Sequence, residues 1–289
     1  MTQTRTAFIA IVGCPNVGKS SILNRLLGQK VAVVSPKPQT TRTKIMGVLT
    51  EDEVQLVFTD TPGFHRPRTK LGEKMIKAVS DSISGVDACL FVVEPSGELR
   101  DAEKDLLKKF KDEKMPVILA INKIDSVKQK ELLIERMAQF SALYDFEAIV
   151  PCSALKGDGF GDLKDELFKQ AQPSPHFFPD DTLTDQPERV LAAEIIREKL
   201  LNLLDDEVPH GVAVCIERMH EREDSNITDI DATIYCERES HKGIIIGKKG
   251  EMLKKVSTKA REDMERFFMC KINLHCWVKV KEGWRNREG

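Results

Sequence analysis

The apolar run Phe8-Ile9-Ala10-Ile11-Val12, followed by Gly13-Cys14-Pro15-Asn16-Val17-Gly18-Lys19-Ser20, decides the fold of this 289-residue chain. Five apolar residues predict a short buried strand. The next eight fit the pattern GxxxxGK[ST], and Ile22, Leu23, Leu26 and Leu27 then recur at helical spacing, with Gly28 as a stop. Strand, glycine-rich turn and helix in that order form a phosphate cradle. Gly13 and Gly18 let the backbone curl around phosphate oxygens, and N–H groups at the helix start attract the anion. Lys19 is placed to reach the terminal phosphates and Ser20 to ligate magnesium. Asn16, Val17 and Ser21 complete the expected nucleotide-binding set on this loop.

Outward from this loop the same alternation continues. Short apolar strands are expected at Val54 to Phe58, Ala88 to Val93, Val117 to Ile121 and Ala148 to Val150, separated by helical stretches at 70–84, 101–111, 130–143 and 161–169. The pattern predicts an α/β layer structure with a mainly parallel sheet. One antiparallel edge is expected, where 44–50 and 54–59 are joined by the turn Thr50-Glu51-Asp52-Glu53. Two further strand ends carry chemistry. Asp60-Thr61-Pro62-Gly63 follows a strand, so Asp60 can hold magnesium and the Gly63 N–H can sense a third phosphate. Asn122-Lys123-Ile124-Asp125 follows another. The Asp125 carboxylate can accept from a ring N–H and an exocyclic amine, which guanine presents and adenine does not. Asn122 braces the loop, the Lys123 stem covers a ring face, and Ser153-Ala154-Leu155 would offer a backbone N–H to the guanine oxygen. The polar segment Ser35 to Thr43 has the composition of a loop that orders around nucleotide; Thr40, Thr41 and Thr43 are equivalent magnesium candidates by composition.

The region Gln172 to Pro187 holds four prolines and little periodicity, and reads as a join between domains. Beyond it the expected order is a helix at 187–204, strands near 211–219 and 227–236, a short helix ending near Gly247, a long helix at 251–268 and a strand at 271–280. His241 to Gly250 ends in Gly247-Lys248-Lys249-Gly250. Glycines that permit close backbone approach, flanking two lysines before a helix N-terminus, suit a clamp on single-stranded RNA. Leu253, Val256, Ala260, Met264 and Phe267 form the expected buried stripe of the long helix. Trp277 falls out of phase with Cys276 and Val278 and is read as facing outward toward RNA or packing on a neighbouring helix, and Trp284 lies in a polar tail.

The net formal charge is -2, which gives no global signal for nucleic acid, but residues 240–289 carry 13 Lys or Arg against 6 Asp or Glu. A polyanionic partner is therefore expected at this end. Seven cysteines without a CxxC pair argue against a disulfide framework or zinc site. Val86 to Val93 is too short to span a bilayer, and a cytosolic protein is expected.

Taken together, GCPNVGKS at 13–20, QTTR at 39–42, DTPG at 60–63, NKID at 122–125, SAL at 153–155 and GKKG at 247–250 resemble the bacterial Era GTPase family over nearly the whole chain. The resemblance implies a P-loop GTPase domain at 1–172, a linker at 173–187 and a smaller α+β KH domain of the prokaryotic type at 188–289. It implies hydrolysis of GTP to GDP with Mg2+, with Lys19, Thr41 and Gly63 as the catalytic set and Ser20, Thr41 and Asp60 on the metal. Asn16 would ligate a potassium ion. The implied partners are the 3' end of 16S rRNA, held by Gly247, Lys248, Lys249 and Gly250, and the 30S subunit, bound by a monomer with some contact at the inner face of the cell membrane. Phe64 stands where many small GTPases carry a water-orienting glutamine. That departure implies slow intrinsic hydrolysis, and it motivates an alternative in which the chain is an RNA-binding adaptor and nucleotide is mainly structural.

Overall fold

A computed structural model describes residues 3–34, 45–61, 83, 85–204, 211–223 and 225–282. Thr40, Thr41 and Thr43, Gly63, Phe64, Trp284 and nearly all of the helix expected at 70–84 lie outside the described residues. The chain forms two compact units, Met1–Ala32 with Thr41–Asp185, and Val33–Thr40 with Gln186–Gly289.

The first unit is built on β1 (Arg5–Gly13), β2 (Ile45–Glu51), β3 (Val54–Asp60), β4 (Ala88–Val93), β5 (Val117–Ile121) and β6 (Ala148–Pro151), in the spatial order β2-β3-β1-β4-β5-β6. All neighbours are parallel except β2 and β3, which pair antiparallel from Ile45↔Asp60 to Glu51↔Val54. The antiparallel edge expected from the short turn is present. Ile9 through Val12 and every residue of β4 are buried, as a strand covered on both faces requires. The described helices of this unit are α1 (Lys19–Leu27), α2 (Asp101–Glu113), α3 (Lys130–Ser141) and α4 (Phe160–Lys169). On one face Phe91 meets Phe110 and Phe140 edge-on at 5.6 and 5.9 Å, tying β4 to α2 and α3. Burying such a ring contributes roughly 2–3 kcal/mol, so this cluster fixes the floor beneath the loops at the strand ends.

Residues 172–185 are bonded to this unit along most of their length. β4 pairs only with Ile9–Gly13, which leaves one edge of Arg5 and Thr6 open, and β7 (Gln172–Pro173) takes it in antiparallel register. Gln55, fully buried in β3, accepts the Phe177 and Phe178 N–H groups at 2.8 and 3.0 Å and donates to the Phe178 carbonyl at 2.9 Å. A buried amide must be satisfied, and this backbone satisfies it. Further on, Val48 N–H donates to Leu183 O at 2.9 Å and Thr184 Oγ1 to Met46 O at 2.6 Å.

His176 makes the same attachment sensitive to pH. Its Nδ1 lies 2.7 Å from Asp180 Oδ1 and its Nε2 3.2 Å from the Glu53 carbonyl. Both partners only accept, so both ring nitrogens donate only in the imidazolium form. The Asp180 hydrogen bond and the Glu53 carbonyl raise the His176 pKa above its ordinary value, against the opposing effect of burial. A raised folded-state pKa stabilises fully below the unfolded value of about 6.5 and is lost as pH rises through the folded value. The urea midpoint of the wild type should therefore exceed that of His176→Gln at pH 6, and the two should converge at alkaline pH. A proton resonance of His176 titrating at or below 6.5 would contradict the assignment.

The second unit runs α5 (Glu188–Leu203), β8 (Ala213–Glu221), β9 (Ile227–Cys236), α6 (Glu239–Ile246), α7 (Glu251–Phe268) and β10 (Lys271–Val280). Its sheet has the order β10-β9-β8, with β8 antiparallel and β10 parallel to β9, so α6 and α7 supply the crossover that a parallel pair needs. Ile216, Ile230, Ala232, Ile234 and Ile272 pack against Ala192, Ile196 and Leu200 of α5 and Val256, Ala260 and Met264 of α7. One expected core position is corrected. Phe268, not Phe267, packs on this core, and Phe267 stands edge-on to it at 5.2 Å. Trp277 projects from the sheet face opposite these helices, half exposed, with its ring 6.1 Å from that of His275.

Candidate functional site

The first cluster lies where the strand order reverses, at the carboxyl ends of β1, β3, β4 and β5, the position at which open α/β sheets bind ligands. A Cβ on Gly18, which has φ +100°, would stand 2.2 Å from Asn122 Nδ2; one on Gly13 would stand 2.3 Å from Val92 O. Glycine alone fits at both, so the loop can press close to its neighbours. Lys19 opens α1 and points back under the loop, where Nζ donates to the Gly13 and Cys14 carbonyls at 3.1 and 2.9 Å. Burial pulls its pKa down to about 8, with Asp60 the main charge acting the other way. A desolvated cation beneath a nest of loop N–H groups is a receptor for anionic oxygens.

Asp60 ends β3 opposite Ile11, fully buried, and the next residue is fastened by Thr61 Oγ1 donating to Ile11 O at 2.8 Å. Ser20 Oγ donates to Asp60 Oδ2 at 2.6 Å. A hydroxyl and a carboxylate this close are two hard oxygen donors, the chemistry magnesium takes, and they stand at the helix end where phosphates would enter. Thr41 and Gly63, the other residues expected here, lie outside the described residues.

The loop after β5 is joined to the phosphate loop by side chains. Asn122, 2% exposed, donates from Nδ2 to Val17 O at 2.9 Å and accepts the Ala154 N–H at 3.0 Å, so it holds three segments at once. Lys123, in the left-handed region at φ 65°, donates from Nζ to Asn16 O at 2.5 Å. Asp125 is exposed and receives the hydroxyl of the buried Ser153. The structure thus brings Asn16, Val17, Gly18, Asn122, Lys123, Asp125, Ser153 and Ala154 to one end of the sheet. Leu155 is 74% exposed. Because the Ala154 N–H already serves Asn122, a base oxygen would share that donor.

Residues that sequence reasoning missed surround this loop. Glu94 follows β4 and binds Lys123 Nζ at 2.8 Å and Arg100 Nη2 at 2.5 Å. Burial raises the Glu94 carboxyl, but the hydrogen bonds and charges of Lys123 and Arg100 outweigh it and hold the pKa below its ordinary value. The signal available was position: a lone acid at a parallel-strand end beside two strand ends already singled out.

In the second unit, α6 ends at Gly247 with φ 74°, Lys249 has φ 51° and Gly250 has φ 80°. A Cβ on Gly247 would lie 2.7 Å from Met252 Cβ, so the turn is pressed against the first turn of α7. Lys248 and Lys249 are both exposed and precede the N-terminus of that 18-residue helix, where the dipole adds to their charge. Ile244 beside them is 49% exposed, which supplies an apolar surface next to a cationic turn.

A family model described as 50S ribosome-binding GTPase matches residues 8–123, and one described as KH domain matches residues 207–285. The chain is 49% identical to GTPase Era of Clostridioides difficile over 98% of this chain and 95% of that protein. It is 50% identical to GTPase Era of Ruminiclostridium cellulolyticum over the same shares. Among solved structures it is similar to an Aquifex aeolicus Era variant bound to GDP and AlF4-, with TM-score 0.93 and 38% identity, covering 98% of this chain and 96% of that one. It is also similar to Era in complex with MgGDPNP and nucleotides 1506–1542 of 16S ribosomal RNA, with TM-score 0.91, 38% identity and the same coverage.

Proposed function

The chain belongs to the Era family of GTPases, and from that membership we propose that it is a cytoplasmic GTP-hydrolysing switch whose KH domain takes the 3' end of 16S rRNA and assists assembly of the small ribosomal subunit. The observation that carries the reading is the presence in one chain of both arrangements. A phosphate loop is laced to Asn122-Lys123-Ile124-Asp125, and an exposed Lys248-Lys249 pair sits in a turn of left-handed residues.

In this reading Gly13 to Ser21 hold the phosphates and Lys19 carries the positive charge that follows the developing negative charge on the transferred group. Asn122, Lys123, Asp125 and the segment Ser153 to Leu155 hold guanine. Ser20 and Asp60 hold magnesium, joined by Thr41 on the family pattern, and the bound ion would neutralise charge on the phosphate oxygens. Gly63 is assigned to the third phosphate and Asn16 to a potassium ion. Gly247, Lys248, Lys249 and Gly250 hold the RNA backbone. The protein acts as a monomer, and the basic surplus of residues 240–289 is the surface for a peripheral membrane contact; among the described residues no helix is long and apolar enough to cross a membrane.

Single-turnover hydrolysis with and without an RNA ending in the 16S 3' sequence tests the proposal. Slow turnover alone is expected from Phe64 standing in place of a glutamine, and acceleration by RNA is expected of a switch that couples the two sites. A rate indifferent to RNA would favour the adaptor reading, in which nucleotide only supports the fold.

A further inference from the structure

The segment between β4 and α2 is a bracket with two ends. On its outer side Arg136, buried at 4% exposure, donates from Nε to Glu94 O at 3.3 Å and from Nη1 to Gly97 O at 3.0 Å. Arg136 is itself paired with the buried Glu103 at 3.3 Å, and Glu103 accepts the Arg100 N–H at 2.9 Å. On its inner side the bracket presents the Glu94 carboxylate, one oxygen to Arg100 and the other to Lys123. Backbone, carboxylate and both cations are therefore tied together by contacts within the protein.

Lys123 needs such support. Its side chain has several rotatable bonds and roughly 2 kcal/mol of rotamer entropy to lose. Its stem can cover a base only while the ammonium is pinned beyond it. Asn16 O and Glu94 Oε1, at 2.5 and 2.8 Å, pin it from two sides. Building on the guanine site proposed above, we propose that Glu94 is a positioning residue of that site: it holds Lys123 stretched between the phosphate loop and the base loop and so sets how long guanine nucleotide stays bound. Both of its carboxylate oxygens are taken up by Arg100 and Lys123, so its effect should fall on residence and not on the chemical step.

The test is nucleotide dissociation and single-turnover hydrolysis in Glu94→Gln, Lys123→Ala and the double variant. Glu94→Gln keeps the size of the side chain and removes its charge. We expect GDP and GTP to leave faster by the same factor, about tenfold, for a partly exposed charge-assisted bond. Hydrolysis from the saturated protein should be unchanged. The double variant should release nucleotide no faster than Lys123→Ala alone, because Glu94 acts through Lys123. Wild-type dissociation in folded Glu94→Gln, additive effects in the double variant, or a slowed chemical step would each overturn the inference. Should Glu94→Gln not fold, Glu94→Asp keeps the charge but loses reach, and unaltered dissociation there overturns it equally. If Lys123→Ala itself leaves nucleotide binding untouched, the guanine-site reading fails as well; a loss confined to Lys123→Ala rejects only the role of Glu94.

Discussion

Lys19→Ala is expected to abolish measurable GTP and GDP binding at micromolar protein while leaving the fold intact or slightly more stable. The two halves of this expectation have one cause. Lys19 is buried, with its ammonium held by two loop carbonyls and its pKa drawn down to about 8 by burial. Keeping a cation there costs the empty protein free energy, which removal returns. The bound state is weakened much more, because the phosphates forfeit a desolvated positive partner. Removing such a partner costs about 3–5 kcal/mol, or between two and four orders of magnitude in affinity. A thermal melt with and without Mg2+ and GDP reads both effects. The variant should melt at or above the wild-type temperature when empty and show no shift with nucleotide. A normal nucleotide-induced shift would remove Lys19 from the phosphate site.

The second large effect is expected in the other unit. Replacing Lys248 and Lys249 with Asp exchanges two attractive charges for two repulsive ones, on exposed side chains beside the α7 N-terminus. Among the described residues no ion pair involves either lysine, so the exchange leaves the salt bridges of α6 and α7 in place. Single-stranded RNA affinity should fall by about two orders of magnitude at moderate salt, and the log–log salt slope by about 0.7 for each phosphate no longer neutralised. GTP affinity should survive, since the turn and the phosphate loop belong to different compact units. Filter binding at several salt concentrations, with circular dichroism as a check on folding, gives the answer. Unchanged affinity and slope in a folded variant would leave the turn as ordinary solvated surface.

Both predictions rest on residues that could be read from the chain. The strand-turn-helix pattern at 8–27 and the strand ends at Asp60 and Asn122 are local signals, and each is decided by a few neighbouring residues. The mainly parallel sheet also followed, because continuous apolar runs suit strands covered on both faces. What escaped was long-range and polar. Gln55 stands in an apolar strand with no mark that its amide will meet Phe177 and Phe178, more than a hundred positions away. The pairing of Arg136 with Glu103, and through it the placing of Glu94, depends on how α2 and α3 pack, which periodicity does not encode. The exchange of Phe267 for Phe268 in the core has a similar origin. Both sit near the helix C-terminus, where one residue of rotation decides which ring turns inward. Proline content at 172–187 marked a join between domains, but not that the open edge of β1 and the buried amide on β3 would bond much of that backbone.

One nucleotide site is expected to govern one RNA site. Reciprocity makes this measurable from either end, since RNA that favours the GTP-bound form must be bound more tightly by it. The direct measurement is the affinity of the full chain for an RNA carrying the 16S 3' sequence, taken with saturating Mg2+ and either a non-hydrolysable GTP analogue or GDP. Tighter binding with the analogue, by about tenfold or more, is predicted; equal affinity in the two states, with both nucleotides shown to be bound, would contradict the account.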